Sequence, residues 1–134
     1  MTLSHSLPAS SYVSYQRGDL PLLITVPHGG YYSANEIPER IESNGTVLTT
    51  DRGTAKTAQA VADKIFSYYG CRPYMVVCNI RRRKEDVNRP IHLATESSEG
   101  QAVWKVLHIH FFFVKSCSLM LQNIRSTIDL YDRQ

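Results

Sequence analysis

Apolar residues in the first half of the chain form two short runs separated by a longer periodic segment. Residues 22–27 and 72–80 are almost continuously apolar or β-branched, which is typical of strands covered on both faces in an α/β sheet. Residues 54–69 show helical spacing and are followed directly by Gly70, a residue type that commonly ends helices. The apolar positions of this segment are Ala58, Val61, Ala62, Ile65 and Tyr69. The pattern predicts a helix over residues 54–69.

A strand, a helix and a second strand in this order predict a βαβ unit. Crossovers of this kind join parallel strands and are right-handed in nearly all known proteins. Upstream, residues 11–16 have a strand-like composition, so we expect a β-hairpin that joins them to residues 22–27. Downstream, residues 96–107 predict another helix, capped by Ser97 or Ser98. The predicted fold class is α/β, with a mostly parallel sheet and flanking helices.

Length and composition indicate one globular domain. The chain has 134 residues, of which 43% are hydrophobic and 20% charged, and it contains no internal repeat. Its net charge of +3 is mostly local, because residues 81–84 are consecutive basic residues. A surplus this small does not indicate a nucleic-acid partner.

Cysteine usage and the N-terminal sequence favour a reducing compartment. The three cysteines are an odd number without CxxC spacing, which argues against a disulfide framework and against a thiolate zinc site. The N-terminal residues lack the basic and apolar regions of a signal peptide, and no run approaches the ~20 apolar residues of a membrane span. We therefore expect a cytoplasmic protein that has neither a membrane nor a nucleic acid as its partner.

His28 is the first candidate for chemistry, because it stands at the end of the first apolar run. A neutral imidazole at the carboxyl end of a strand can bind a metal ion. The following Gly29 and Gly30 would let backbone approach a ligand closely and could adopt positive φ. The alternative is that Pro-His-Gly-Gly simply forms a turn at the end of the strand.

Asp51 precedes the predicted helix and has two possible roles. Its carboxylate could complete a metal site or orient a ligating histidine, since ligating imidazoles usually donate their second N–H to an oxygen acceptor. An aspartate in front of a helix is also an ordinary N-terminal cap. The sequence alone leaves both roles open and favours the cap.

The charged loop over residues 81–90 follows the second apolar run, at the edge of a parallel sheet where ligands commonly bind. It places Asp86 between arginines, with Asn88 and Arg89 shortly after it. Arginine binds carboxylates through two parallel hydrogen bonds, so the loop predicts carboxylate binding or structural pairing. The alternatives are a solvated basic loop and a phosphate or nucleic-acid site, and the latter lacks the interleaved aromatic residues that such sites use.

Three further histidines could suggest a metal site, because His108 and His110 are two residues apart. Residues with this spacing share a face on a strand but diverge on a helix. Since residues 101–107 have helical character, we expect His92, His108 and His110 to be core or surface residues.

The segments LLITVPHGG, IPER, TTDRGT and IRRRKEDVNRP together resemble the N-terminal half of the N-formylglutamate amidohydrolase family. The resemblance covers roughly residues 11–106, and its most specific elements are the PHGG strand end and the R-x-x-x-D-x-N-R-P segment of residues 82–90. The family has an α/β fold similar to that of zinc carboxypeptidases and releases formate from N-formylglutamate. The resemblance therefore implies a zinc-dependent hydrolase of small acidic N-acyl amides.

The resemblance also implies roles for individual residues. His28 would be a zinc ligand, and Asp51 would be the second ligand or its close support. The implied substrate pocket comprises Gly29, Gly30, Arg82, Asp86, Asn88 and Arg89, with an arginine facing the substrate carboxylates and Asp86 holding the loop in shape. Zinc with three protein ligands and an open position activates water for attack on an amide carbonyl.

The family supplies a further histidine ligand, in an Asp-x-His type segment, and a catalytic glutamate from a C-terminal half that we do not find in this chain. The expected organisation is a partial amidohydrolase-like domain over residues 1–106 and a divergent tail over residues 107–134. Such a truncated sheet would expose an apolar edge that could associate with another chain. The alternatives to a hydrolase are a non-catalytic domain that binds a carboxylate or phosphate, and a defective truncated product.

Overall fold

A three-stranded mixed sheet forms the centre of residues 8–113, which are the residues that the computed structural model describes. The strands are β1 (Val13–Gln16), β2 (Leu23–Val26) and β3 (Tyr74–Cys78), in the spatial order β1-β3-β2. A short 3₁₀ helix, Ala9–Tyr12, leads into β1. The chain is thus a small α/β protein.

The predicted βαβ unit is present. β2 and β3 are parallel neighbours, with Leu23 opposite Tyr74 and Val26 opposite Val77. The crossover contains α1 (Thr54–Tyr69), which has the predicted bounds. It ends at Gly70, whose φ of 68° is left-handed and whose N–H donates to the Phe66 carbonyl, so the predicted helix end is confirmed.

The predicted β-hairpin between residues 11–16 and 22–27 is wrong. β1 pairs antiparallel with β3, on the side of β3 opposite to β2. The segment between β1 and β2 instead crosses the beginning of β3, where the N–H groups of Asp19 and Leu20 donate to the Arg72 carbonyl. Gly18 makes this crossing possible, because a Cβ there would lie only 2.4 Å from the Tyr74 nitrogen. The sheet is therefore mixed rather than mostly parallel.

Burial distinguishes the two parallel strands. All five residues of β3 are buried, as predicted for a strand covered on both faces. β2 lies at the edge of the sheet and only Val26 is buried in it, so the same prediction is wrong for β2. Because an edge strand leaves backbone groups unpaired on one side, association through this edge stays a prediction.

A second long helix closes the other face of the core. A short helix, α2 (Ile91–Ala94), precedes it, and residues 98–113, which we call α3, are helical. The Ser97 hydroxyl accepts the Gly100 N–H at 3.1 Å, so of the two predicted caps Ser97 is the one used. The core cluster that α3 helps to build comprises Tyr12, Ala34, Ile37, Val76, Cys78, Ile80, Val87, Val103 and Leu107.

α3 continues across the predicted boundary at residue 106. Leu107 lies beyond that boundary and is fully buried in the core cluster, and Phe111 packs against the cluster from outside. The part of the predicted tail from residue 114 onward lies outside the described residues, and so does Cys117. The remaining cysteines, Cys71 and Cys78, are both free, and burial raises the pKa of Cys78 to about 12. No helix within residues 8–113 is long and apolar enough to cross a membrane.

Leu107→Ala should therefore destabilise the protein although residue 107 follows the end of the family resemblance. Truncating a fully buried leucine removes its apolar contacts and leaves a cavity, which lowers the free energy of unfolding by about 3 kcal/mol. Ile109→Ala is the matched control, because Ile109 lies on the same helix and is 66% exposed. Urea unfolding of the two variants measures the difference, and equal stability would mean that α3 does not close the core.

Candidate functional site

His28 lies between two aspartates just after β2. Its imidazole is buried, with Nε2 2.7 Å from Asp86 Oδ1 and Nδ1 3.3 Å from Asp51 Oδ2. The Asp51 N–H also donates to the His28 carbonyl at 2.8 Å, which fixes the backbone of the two residues against each other. The structure thus brings together His28, Asp51 and Asp86, which lie far apart in the sequence.

The two carboxylates contact opposite nitrogens of the imidazole. An ionised Asp86 can only accept, so His28 Nε2–H donates to it, and Nδ1 is the nitrogen that faces Asp51. A buried carboxylate behind an imidazole is the usual arrangement that fixes the tautomer and orientation of a ligating histidine. This geometry favours a functional histidine over a simple turn at His28.

Asp51 does not cap α1. The residue that precedes the helix is Gly53, with φ of 81°, and no side chain makes a capping hydrogen bond there. The Asp51 carboxylate, whose side chain is half exposed, instead faces His28 and lies 3.7 Å from Arg82 Nη1. The cap interpretation is therefore wrong, because a glycine in a left-handed conformation occupies the N-cap position before Thr54 and the Asp51 carboxylate faces the imidazole instead.

Asp86 is fully buried at the centre of a group of arginines. Its Oδ2 accepts from Arg82 Nε at 3.1 Å and lies 3.9 Å from Arg40 Nη1 and 3.8 Å from Arg89 Nε. The Asn88 N–H donates to Oδ1 at 3.1 Å, which turns the loop around the carboxylate. Burial would raise the pKa of Asp86, but the hydrogen bonds and charges of His28 and Arg82 outweigh burial and hold that pKa below its ordinary value.

Arg40 is part of this group although sequence reasoning did not single it out. Its side chain is buried, and Nη1 donates to the carbonyls of Val47 at 3.0 Å and Arg82 at 3.1 Å. It thereby ties the long loop after β2 to the loop after β3. It is the last residue of the IPER segment, but no role is inferred for it, because a single arginine in a loop is ordinarily exposed.

Glu85 is a second buried acid that the sequence did not reveal. Its side chain is fully buried, and within residues 8–113 neither of its carboxyl oxygens makes a hydrogen bond. The Thr95 hydroxyl lies nearby, and both groups crowd against Gly100. Burial is the largest influence and raises the pKa of Glu85 to about 8, against the opposing effects of Thr95 and Arg40.

Gly29 and Gly30 pack against the protein. Neither has positive φ, so that part of the expectation is wrong. A Cβ on Gly29 would lie 2.4 Å from Thr54 Oγ1, and one on Gly30 would lie 2.3 Å from the Asn79 carbonyl carbon. These glycines allow the strand end to approach α1 and β3, and their predicted contact with a substrate stays a prediction.

The four polar residues of the predicted pocket divide into two pairs. Arg82, 12% exposed, and Asp86 are bound to each other. Arg89, 45% exposed, and Asn88 lie further out and line a surface pocket of about 280 Å³. Arg89 is therefore the arginine that is better placed to receive a ligand.

The other three candidate histidines, His92, His108 and His110, are structural or exposed, as expected. His108 stacks on Trp104 with ring centroids 3.6 Å apart, and His110 stacks on Tyr15 at 4.3 Å. The two histidines thus contact different parts of the protein, because helical spacing separates their faces. His92 is exposed on α2.

The distances around the His28 imidazole show which of these residues could bind one metal ion together. Neighbouring ligands of a tetrahedral zinc ion with bonds of about 2.0–2.1 Å lie roughly 3.3 Å apart. His28 Nδ1 and Asp51 Oδ2 have this separation, at 3.3 Å. Asp86 lies across the ring and cannot bind the same ion, and residues 8–113 contain no group of three or more potential ligands around one point. Within residues 8–113, His28 and Asp51 could therefore serve as two zinc ligands, and Asp86 as the carboxylate that supports His28.

Comparisons of the chain with protein-family models, with curated proteins and with solved structures found no match. The resemblance to N-formylglutamate amidohydrolases thus stays a hypothesis that rests on the motifs. The zinc carboxypeptidase-like fold stays a hypothesis as well, because three strands in a mixed sheet establish only a small α/β protein.

Proposed function

We propose that residues 8–113 carry part of a zinc-dependent amidohydrolase site for small acidic N-acyl amides. His28 and Asp51 would hold the metal ion, and Asp86 would orient the imidazole. The observation that carries this proposal is the placement of His28, whose Nε2 is bound to a buried carboxylate while Nδ1 faces a second, accessible one. This is the arrangement of a metal-binding histidine with its supporting carboxylate.

The residues around His28 would have separate roles in binding the metal ion and the substrate. Asp86 keeps His28 in one tautomer, and Arg82 neutralises the charge between the two aspartates. Arg89 and Asn88, which lie further out, would bind the carboxylate of the substrate. The chemistry that zinc supplies in such sites is activation of water and polarisation of an amide carbonyl. A cytoplasmic location, in which free cysteines remain reduced, belongs to the same proposal.

A second candidate is a domain that binds a small carboxylate without a metal ion. The specific observation in its favour is charge: Arg40, Arg82 and Arg89 face two carboxylates, Asp51 and Asp86, so the group keeps a positive surplus. In that case ligand binding would survive a chelator. The hydrolase is preferred because a metal-free carboxylate site gives no role to His28 and Asp51.

The proposal predicts that the purified chain binds zinc through His28 and Asp51. Calorimetric titration should give about one zinc per chain, and His28→Gln and Asp51→Asn should each abolish the binding, because each removes one of only two described ligands. Formate release from N-formylglutamate, with and without zinc, then tests catalysis in the same samples.

Matched controls for the zinc titration are His92→Gln and Asp63→Asn, which change an exposed histidine and an exposed aspartate elsewhere on the surface. Both should bind zinc as the parent chain does. Circular dichroism shows that each variant is folded before titration. Absence of zinc binding, or binding that survives both site substitutions, would overturn the proposal, and retained binding of a carboxylate under chelation would favour the second candidate.

A further inference from the structure

We propose that the surface pocket between the loop after β3 and α3 binds small aromatic carboxylic acids. Its lining includes Asn88, Arg89 and Pro90 of the loop and aromatic side chains of α3. Pro27, next to His28 in the chain, also lines it, so the pocket adjoins the site described above. The use of this pocket for a substrate rests on the proposed function, whereas the binding of an aromatic acid is independent of it.

The aromatic wall consists of Trp104, His108 and Phe111. These residues are spaced four and three apart, so they share one face of α3. Trp104 and His108 are stacked with an interplanar angle of 14°, and His108 and Phe111 meet at a tilted angle with centroids 5.2 Å apart. Such a wall offers contact area and polarisable rings to a flat apolar group.

The polar groups of the wall are held in place by the backbone. Trp104 Nε1–H donates to the Arg89 carbonyl at 2.9 Å, which fixes the indole against the loop after β3. His108 Nδ1 lies 2.8 Å from the Trp104 carbonyl and must donate to it, since a carbonyl only accepts. His108 Nε2 has no hydrogen-bond partner within residues 8–113. The lining is therefore joined by a hydrogen bond between α3 and the loop after β3.

The charge of the lining favours an anion. Among the lining residues that the structure describes none is acidic, and Arg89 is the cation. Its Nε lies 3.8 Å from Asp86, which Arg82 already binds more closely at 3.1 Å. Within residues 8–113 the terminal nitrogens of Arg89 make no hydrogen bond, so they can bind a carboxylate.

The size of the pocket limits the ligand to one small molecule. A volume of about 280 Å³ lies just below the roughly 300–1,000 Å³ of typical ligand sites, so it suits an acid of amino-acid size. The aromatic wall would contribute nothing to the two carboxylates of glutamate. If the pocket serves the proposed reaction, the preferred substrates are thus N-acyl derivatives of aromatic amino acids.

The test uses the fluorescence of Trp104, which is the single tryptophan of the chain and belongs to the pocket. With a chelator present, 3-phenylpropionate should change its emission in a saturable way. The neutral 3-phenylpropionamide lacks the charge, and glutarate lacks the ring, so each should bind about tenfold or more weakly. N-acetyltryptophanamide under the same conditions controls for collisional quenching.

Two substitutions test the assigned contacts. Arg89→Gln should weaken binding of 3-phenylpropionate about tenfold and leave the amide unaffected, whereas Arg83→Gln removes a surface charge from the same loop and should change neither. Phe111→Ala should weaken both ligands, and Phe113→Ala, on the same helix, should weaken neither. Unfolding curves establish that each variant is folded.

The outcomes separate this inference from the proposed function. No saturable response of Trp104, or equal binding by the parent chain and Arg89→Gln, would overturn the pocket even if zinc binds at His28. Saturable binding with the expected ligand preference but no zinc uptake would sustain the pocket and remove the hydrolase proposal, because the titration contains a chelator and does not depend on the metal.

Discussion

Asp86→Ala should lower the free energy of unfolding by about 3–5 kcal/mol, because it removes the centre of a buried ionic network. Asp86 is fully buried and contacts His28 and three arginines. Arg40 is itself buried, and without Asp86 it would lose a nearby opposite charge, while the His28 N–H would lose its acceptor. Breaking a buried pair by removing one partner costs far more than the intact pair contributes.

Urea unfolding followed by circular dichroism measures this loss, and the matched control is Asp63→Ala. Asp63 lies on α1, is 60% exposed and faces Arg72 at 3.6 Å, so its removal should cost less than about 1 kcal/mol. If Asp86→Ala were as stable as Asp63→Ala, the arginine group would not be a buried network. The described geometry around His28 would then lose its support.

The supporting role of Asp86 can also be tested through zinc affinity. Loss of a carboxylate that supports a ligating histidine typically reduces metal affinity by about 10–100-fold. Asp86→Asn keeps the shape of the side chain and one acceptor oxygen, so it is the variant for the zinc titration, while Asp86→Ala is the variant for stability. A role in orientation alone would weaken zinc binding without abolishing it, in contrast to Asp51→Asn.

The sequence predicted those parts of the fold whose causes are local. Helix α1 was predicted with its bounds, because three- and four-residue apolar spacing and the terminal Gly70 both act within a few residues. The parallel pairing of β2 with β3 follows from the crossover that α1 makes. The partner of β1 could not be predicted in the same way, since it depends on the contact of Gly18 with Tyr74, far along the chain.

In the candidate site, too, the sequence predicts features with local causes and misses those that depend on tertiary contacts. His28 and the loop around Asp86 are predicted because unusual residue types follow the two apolar runs. The sequence leaves the role of Asp51 open, since its place beside the imidazole arises only in the folded chain, where its N–H donates to the His28 carbonyl. Arg40 and Glu85 were missed because their burial results from tertiary packing, and each stands in a segment whose composition predicts exposure.

Glu85→Gln should remove most of the pH dependence of stability between pH 5 and 8. Burial raises the pKa of Glu85 from 4.5 to about 8, so in this range the folded protein keeps a proton that the unfolded chain has released. The free energy of unfolding of the parent chain should therefore fall as the pH rises, by at most about 1.4 kcal/mol per pH unit and roughly 4–5 kcal/mol in total. Below the ordinary pKa of 4.5 both states are protonated and the effect is absent.

Glutamine has the shape of a protonated glutamate and does not titrate, so Glu85→Gln should be clearly more stable than the parent chain at pH 8 and similar to it at pH 5. Asp86 does not interfere in this range, because its lowered pKa contributes stability that is lost only as the pH falls below the ordinary value of 3.8. Urea unfolding at a series of pH values measures both proteins. Glu42→Gln, which changes an exposed glutamate, is the matched control and should keep the slope of the parent chain.

The difference between Glu85→Gln and the parent chain isolates one group, because all other titrating residues are common to both proteins. Arg40 and Asp86 are the charged groups that act on Glu85, with opposite effects on its pKa, and neither is altered. A parallel pH dependence in the two proteins would mean that Glu85 is ionised in the folded state and has found a partner. A pH-independent Glu85→Gln beside a falling parent curve would establish a neutral acid in the core, in the same loop as Asp86 and directly before it in the chain.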